Sequence, residues 1–182
     1  MKRKVIQYLS KKEFNRLKNQ IDNSRDQLLL NLLYETGCTV NELINIKVKD
    51  IHFGKKIIKF PSESTKSNKS KISFISKTLT EKIKKFTEKQ ISSYLFVTRQ
   101  SSQITTKRVR QLIQFYSQKA GLGKINPQVI RYTHIAHALE KGIPLTVIQK
   151  QVGMERLRIL QIYETLVPEE KEGEYDKFWS NE

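Results

Sequence analysis

The chain has 182 residues, enough for one domain with a buried core, and 37% of them are hydrophobic. Lysine and arginine total 34 against 18 acids, for a formal charge of +16; from Glu164 onward seven acids face two bases, so the preceding 163 residues carry +21. A bilayer span of ~20 apolar residues is absent, the basic Met1–Lys4 start lacks the apolar stretch of a secretory signal, and the separated positive charge asks for a polyanion, nucleic acid above all.

Ser10 and Glu13 stand at capping-box spacing and open a short basic helix with Phe14 and Leu17 on one face. Residues 24–37 place Leu28, Leu29, Leu32 and Leu33 at helical spacing and stop at Gly37, suited to the left-handed position after a helix. Cys38, the single cysteine, rules out an intrachain disulfide and predicts a reducing, cytoplasmic setting. Thr39 and Glu42 repeat the capping-box spacing before Leu43 and Ile44.

From Lys47 to Ser76 the period changes, and KVKDI, KKIIKF and KISFIS read as three short strands, with the polar turn PSESTKSNKSK between the last two. A helix is predicted from about Thr80 to Lys89, a short strand at 94–97 (YLFV), and a basic helix from Thr105 through Ala120, closed by Gly121. Pro127 and Pro144 suit first helical positions, with Gly142 between their helices. A final pair of helices is expected after Gly153 and Pro168. His134 and His137 lie three apart on a predicted helix, with no cysteine or further histidine to complete a ligand set, so no metal is expected. Without a repeat or a dividing linker, residues 1–182 read as one domain, with an acidic segment at about 164–182.

Three blocks, in order, resemble the tyrosine-recombinase (phage integrase) family, its archaeal members in particular. They are LLYETGCTVNELINIKVKDI at 32–51, KFPSESTKSNKSKISFIS at 59–76, and NPQVIRYTHIAHALEKGIPLTVIQKQVGMERLRILQIYETL at 126–166. The resemblance implies an α+β, mainly α-helical catalytic-domain fold with a small antiparallel three-stranded sheet, and a double-stranded DNA partner. It also implies chemistry without cofactor. A tyrosine oxygen attacks a DNA phosphate, two arginines hold the non-bridging oxygens, a hairpin lysine protonates the leaving oxygen, and histidines assist. The family usually places a helical core-binding domain before this one, whereas Tyr8-Leu9-Ser10-Lys11 already looks like the start of the catalytic domain.

The match carries over unevenly. Lys66 takes the hairpin-lysine position, Arg131 that of the second arginine, and Tyr163 that of the nucleophile. Thr39 replaces the first arginine, Gln128 the histidine of H-x-x-R, Met154 the later histidine or tryptophan, and Tyr132 the histidine often found after the second arginine. Thr39 is short and neutral but makes a good helix cap, and Gln128 cannot shuttle a proton. One lost transition-state donor costs ~10²–10³ in rate, so cleavage is expected to be lost or strongly impaired. Lys66, Lys69, Lys71, Lys107, Arg108, Arg110, Arg131 and Arg156 are the expected DNA contacts. Arg131 is expected to face the DNA surface beside Lys66 and Tyr163 rather than a buried carboxylate.

The leading expectation is a DNA-binding protein of this family. The alternative is a working recombinase in which Arg108, Arg110, Arg156 or Arg158 supplies the missing charge; a third is an RNA-binding or structural protein. The acidic segment, with Tyr175, Phe178 and Trp179, is expected to dock on the domain itself, on a second copy or on a related recombinase.

Overall fold

The computed structural model describes residues 6–65, 68–88, 92–98, 103–154 and 162. Its elements are α1 (Lys11–Asn19), α2 (Ser24–Thr36), α3 (Val40–Ile44), β1 (Ile51–His52), β2 (Ile57–Phe60), β3 (Lys71–Phe74), α4 (Lys77–Thr87), α5 (Thr106–Lys119), α6 (Pro127–Glu140) and α7 (Leu145–Val152). The protein is mainly helical, with one antiparallel sheet of order β1-β2-β3.

Both capping boxes form, Ser10 with Glu13 ahead of α1 and Thr39 with Glu42 ahead of α3. Leu28, Leu29, Leu30, Leu32 and Leu33 spread around α2 and are all buried, so α2 becomes the helix on which others pack. α3, α4 and α6 lie against it. The main core runs from Leu9 and Phe14 through these leucines to Ile58, Phe60, Ile113 and Ile130. A smaller cluster joins Ile135 and Ala136 of α6 to Ile148 and Val152 of α7 and to Ile162, with Tyr132 and Met154 packed on it.

Several boundaries differ from expectation. Lys47–Ile51 is not a full strand: the Asp50 carboxylate accepts the Lys47 N–H, and residues 48–50 wind into a 3-10 turn. In YLFV only Tyr94 pairs, in a single bridge to Lys47 made by the Leu95 N–H to the Ile46 carbonyl and the Val48 N–H to the Ser93 carbonyl; beyond it the Phe96 carbonyl accepts the Ile104 N–H instead. α4 starts three residues early, since the Ser76 hydroxyl caps it by accepting the Leu79 N–H. Pro144 stands just before α7 rather than inside it. The expected helices after Gly153 and Pro168 lie outside the described residues.

The sheet departs most from simple patterning. In β3, Lys71 and Ser73 point inward and are buried, while Ile72 and Phe74 are 47% and 68% exposed. The reason lies in α7, whose final carbonyls have no helical partner. Lys71 Nζ donates to the Val152 carbonyl and Ser73 Oγ to that of Gln151. The Gln151 amide in turn takes both the N–H and the carbonyl of Phe74.

Gly37 marks the junction of α2, α6 and α7. It ends α2 at φ 57°, and a Cβ there would lie 2.6 Å from Val152 Cγ1 and 3.0 Å from His134 Cδ2. Left-handed backbone and close approach both act against a side chain. Gly37→Ala is therefore expected to lower unfolding stability by about 2–4 kcal/mol, read from urea melts; a change below about 0.5 kcal/mol would show that the junction relaxes freely.

Candidate active site and DNA-binding surface

Glu42 organises the site. It sits on α3 within the apolar VNELI segment and is only 4% exposed. Its Oε2 accepts the Thr39 N–H at 2.7 Å and the Lys71 ammonium at 2.8 Å, and Arg131 Nη1 lies 4.0 Å from the same oxygen. Lys71 reaches it from β3, with its ammonium 4.5 Å from the centre of the Phe60 ring. The lysine stem passes Gly153, where a Cβ would come within 2.6 Å of Lys71 Cδ. Burial pushes the Lys71 ammonium below its usual range, and Glu42 opposes that shift. Removing two charges from water costs several kcal/mol each, offset only by close pairing and further hydrogen bonds, and here the Val152 carbonyl and the Thr39 N–H supply them.

Arg131 lies on α6 and is 5% exposed. Its Nη1 donates to the Gly37 carbonyl at 2.6 Å. This corrects the expectation of an arginine facing an open surface away from any buried carboxylate, because α6 packs its Arg131 side onto the end of α2 and the start of α3. Lys71 is corrected likewise: it is a buried, ion-paired lysine rather than a surface cation. Lys66, Arg156, Arg158 and Tyr163 lie outside the described residues. Lys69, Lys107, Arg108 and Arg110 are exposed. Lys107 and Arg108, at the start of α5, share an open polar cleft with Asn23, Arg25, Thr105 and Gln111.

Three of the four positions that depart from the family pattern, Thr39, Tyr132 and Met154, hold a local structural role. The Thr39 hydroxyl accepts the Glu42 N–H as the cap of α3. Met154 and Tyr132 pack against the second apolar cluster, and Gln128 is partly exposed in the first turn of α6. Glu42 was missed as a site residue because its capping-box spacing already explained it; an acid among apolar neighbours in a five-residue helix was the available signal.

The phage integrase family model matches residues 7–170. The chain belongs to the phage integrase family of tyrosine recombinases. Tyrosine recombinase XerA of Pyrococcus horikoshii is 34% identical over 160 residues, covering 85% of this chain and 55% of that protein. A crystal structure of XerA recombinase is 25% identical with a TM-score of 0.78, covering 94% of this chain and 65% of the other. XerH site-specific recombinase bound to its difH substrate in a pre-cleavage complex, 20% identical, matches in fold with a TM-score of 0.80 over 98% of this chain and 56% of that one. The chain thus spans about half to two-thirds of the recombinases it matches. Among the described residues, no helix is long and apolar enough to cross a membrane, and no group of three or more His, Cys, Asp or Glu could hold a metal ion.

In this recombinase domain the histidines of α6 anchor structure. His137 Nε2 faces the Leu9 carbonyl, which only accepts, so Nε2 carries the proton and Nδ1 accepts the Tyr34 O–H. With the Leu9 N–H donated to Thr133 Oγ1, the start of the chain is strapped onto α6. Burial pushes the buried Cys38 thiol up to about 11, so it is an inert packed group at neutral pH. Burial also pulls His134 down to about 4, against the opposing hydrogen bond to the Tyr34 backbone and with the nearby Arg131 charge lowering it further. A folded value below the unfolded ~6.5 means that the unfolded chain binds more protons between those limits. The His134 contribution is therefore intact above about pH 6.5 and is lost as pH falls toward 4. Burial shifts His137 in the same direction. His134→Gln is expected to flatten the acid-side stability slope by about 2 kcal/mol between pH 7 and 4.5. Parallel slopes for wild type and variant in urea melts would refute this.

Proposed function

We propose that the protein binds duplex DNA through backbone phosphates and that strand cleavage through Tyr163 is lost or strongly impaired. One observation carries the reading: positions where the family keeps phosphate-binding and proton-transfer groups serve local structure instead. Thr39 caps α3 and Met154 packs in an apolar cluster. A helix-cap hydroxyl cannot replace a guanidinium at a developing phosphate charge. The DNA-bound state of the XerH neighbour supports DNA as the partner, as does the +21 over residues 1–163. Surface contacts are assigned to Lys66, Lys69, Lys107, Arg108, Arg110 and Arg156, and phosphate recognition at the reaction centre to Arg131. The acidic segment at about 164–182 is assigned a docking role, on the domain itself, on a second copy or on a related recombinase.

A second reading has a specific observation in its favour. The Lys71 ammonium and the Thr39 N–H meet on one oxygen of Glu42, so a cation does lie close to the position of the missing first arginine. An active recombinase working with Tyr163, Arg131 and Lys66 would draw on it.

Binding to mixed-sequence duplex should weaken steeply with salt, at a log–log slope of roughly −4 to −8; a slope near zero would remove the electrostatic basis of the reading. On nicked suicide duplexes, wild type is expected to accumulate little or no covalent adduct. The triple variant Thr39→Arg, Gln128→His, Met154→His should raise it, although losing the Thr39 cap costs about 1 kcal/mol of stability. Adding Tyr163→Phe should abolish it with DNA affinity nearly unchanged. Abundant Tyr163-dependent adduct from unmodified protein would establish the second reading instead.

A further inference from the structure

Bases gather at the starts of two helices, where helix electrostatics favours acids. Arg25 is the second residue of α2, and Lys107 and Arg108 are the second and third of α5, a helix with no acid in its first turn. All three line one open cleft of about 720 Å³, and no acid is among the described residues that line it. Lys107 and Arg108 are exposed and make no ion pair among the described residues, so nothing inside the protein offsets their placement. A local rule broken without internal compensation is expected at a functional surface.

Arg25 differs from the other two because it is held. Its Nε and Nη2 both meet Oδ1 of Asp26, at 2.9 and 2.8 Å, and Oδ2 of that carboxylate accepts the Tyr116 hydroxyl of α5 at 3.0 Å. Asp26 is 5% exposed, and its N–H is taken by the Asn23 cap at 3.1 Å, so the carboxylate is fixed from both helices. The Arg25 side chain, by contrast, is 30% exposed. One edge of the guanidinium is spent on Asp26, while Nη1 has no partner among the described residues. A planar fork fixed along one edge loses little freedom when the other edge binds an anion.

We propose that Arg25 is a further DNA-contacting residue: it bridges the buried Asp26 and a backbone phosphate of duplex DNA seated in the cleft beside Lys107 and Arg108. Sequence alone does not single it out, because an arginine next to an acid reads as a surface ion pair. The inference rests on the proposed binding of duplex DNA and adds to it a contact from α2. That contact is rigid where the lysine and arginine of α5 are mobile, because Asp26 and Tyr116 hold it.

The test is titration of a fluorescent mixed-sequence duplex of about 20 base pairs at several salt concentrations, with thermal unfolding of each variant as a folding check. The decisive variant is the pair Arg25→Gln, Asp26→Asn. It leaves no carboxylate buried alone, keeps an acceptor for Tyr116 and leaves the net charge unchanged, so total charge cannot cause a loss. The pair is expected to weaken binding about fivefold at about 0.15 M salt and to flatten the log–log slope by about 0.9, the effect of one lost phosphate contact. Asp26→Asn alone, which keeps the guanidinium, should stay within about twofold of wild type. Arg25→Lys should lose most of the fivefold, because one ammonium held by Asp26 has no second edge to offer; if the pair does not fold, this charge-conserving variant carries the test. The proposal is overturned if the pair or Arg25→Lys binds like wild type, or if Asp26→Asn alone loses as much as the pair. Lys107→Gln and Arg108→Gln separate the two levels of inference. If they flatten the slope while the pair does not, the DNA-binding reading stands and the Arg25 contact fails; if wild type itself shows no salt dependence, the DNA-binding reading fails.

Discussion

A single carboxylate oxygen, Oε2 of Glu42, ties together the parts of the chain on which the site depends. It closes the cap of α3 through the Thr39 N–H, receives the lysine of β3, and lies within ion-pair distance of the α6 arginine. Each of these groups would be costly to bury alone. Together they hold segments far apart in sequence at one point, and the arrangement tolerates little substitution because every partner lies inside the protein.

From that point the geometry spreads outward. Lys71 and Ser73 take the last carbonyls of α7, so α7 is docked on the last strand of the sheet. Gln151 completes the joint by bonding the backbone of Phe74 and the carbonyl of Glu35. Gly37 allows α2, α6 and α7 to meet without a side chain between them, and its own carbonyl receives Arg131. Backbone close approach and side-chain chemistry are thus met at the same residue.

The substitutions relative to the family acquire a physical meaning from this frame. Thr39 and Met154 are well-adapted structural residues, a cap and a packing group. Under the proposed reading, charge is withdrawn from the reaction centre while the exposed bases at the start of α5 and along the hairpin remain, a combination that would separate holding DNA from cutting it. The first depends on many weak contacts summed over a surface, the second on a few donors placed to within a fraction of an ångström.

Much of this was legible in the residues themselves. Both capping boxes, the leucine helix ending at Gly37, the α5 helix opening at Thr105 and the proline at the start of α6 follow from local rules, because caps, turns and helical periodicity are decided by neighbours in sequence. The order of the three blocks carried the family for the same reason. The buried faces of β3 and of Arg131 were not legible. Lys71 among many lysines looks like a surface cation, and Ile72 and Phe74 look like core. Only the tertiary structure, by bringing the unsatisfied carbonyls of α7 and the Glu42 carboxylate against one face of that strand, turns its polar residues inward. A buried hydrogen-bonding requirement raised 80 residues away outweighed the strand's own hydrophobic pattern.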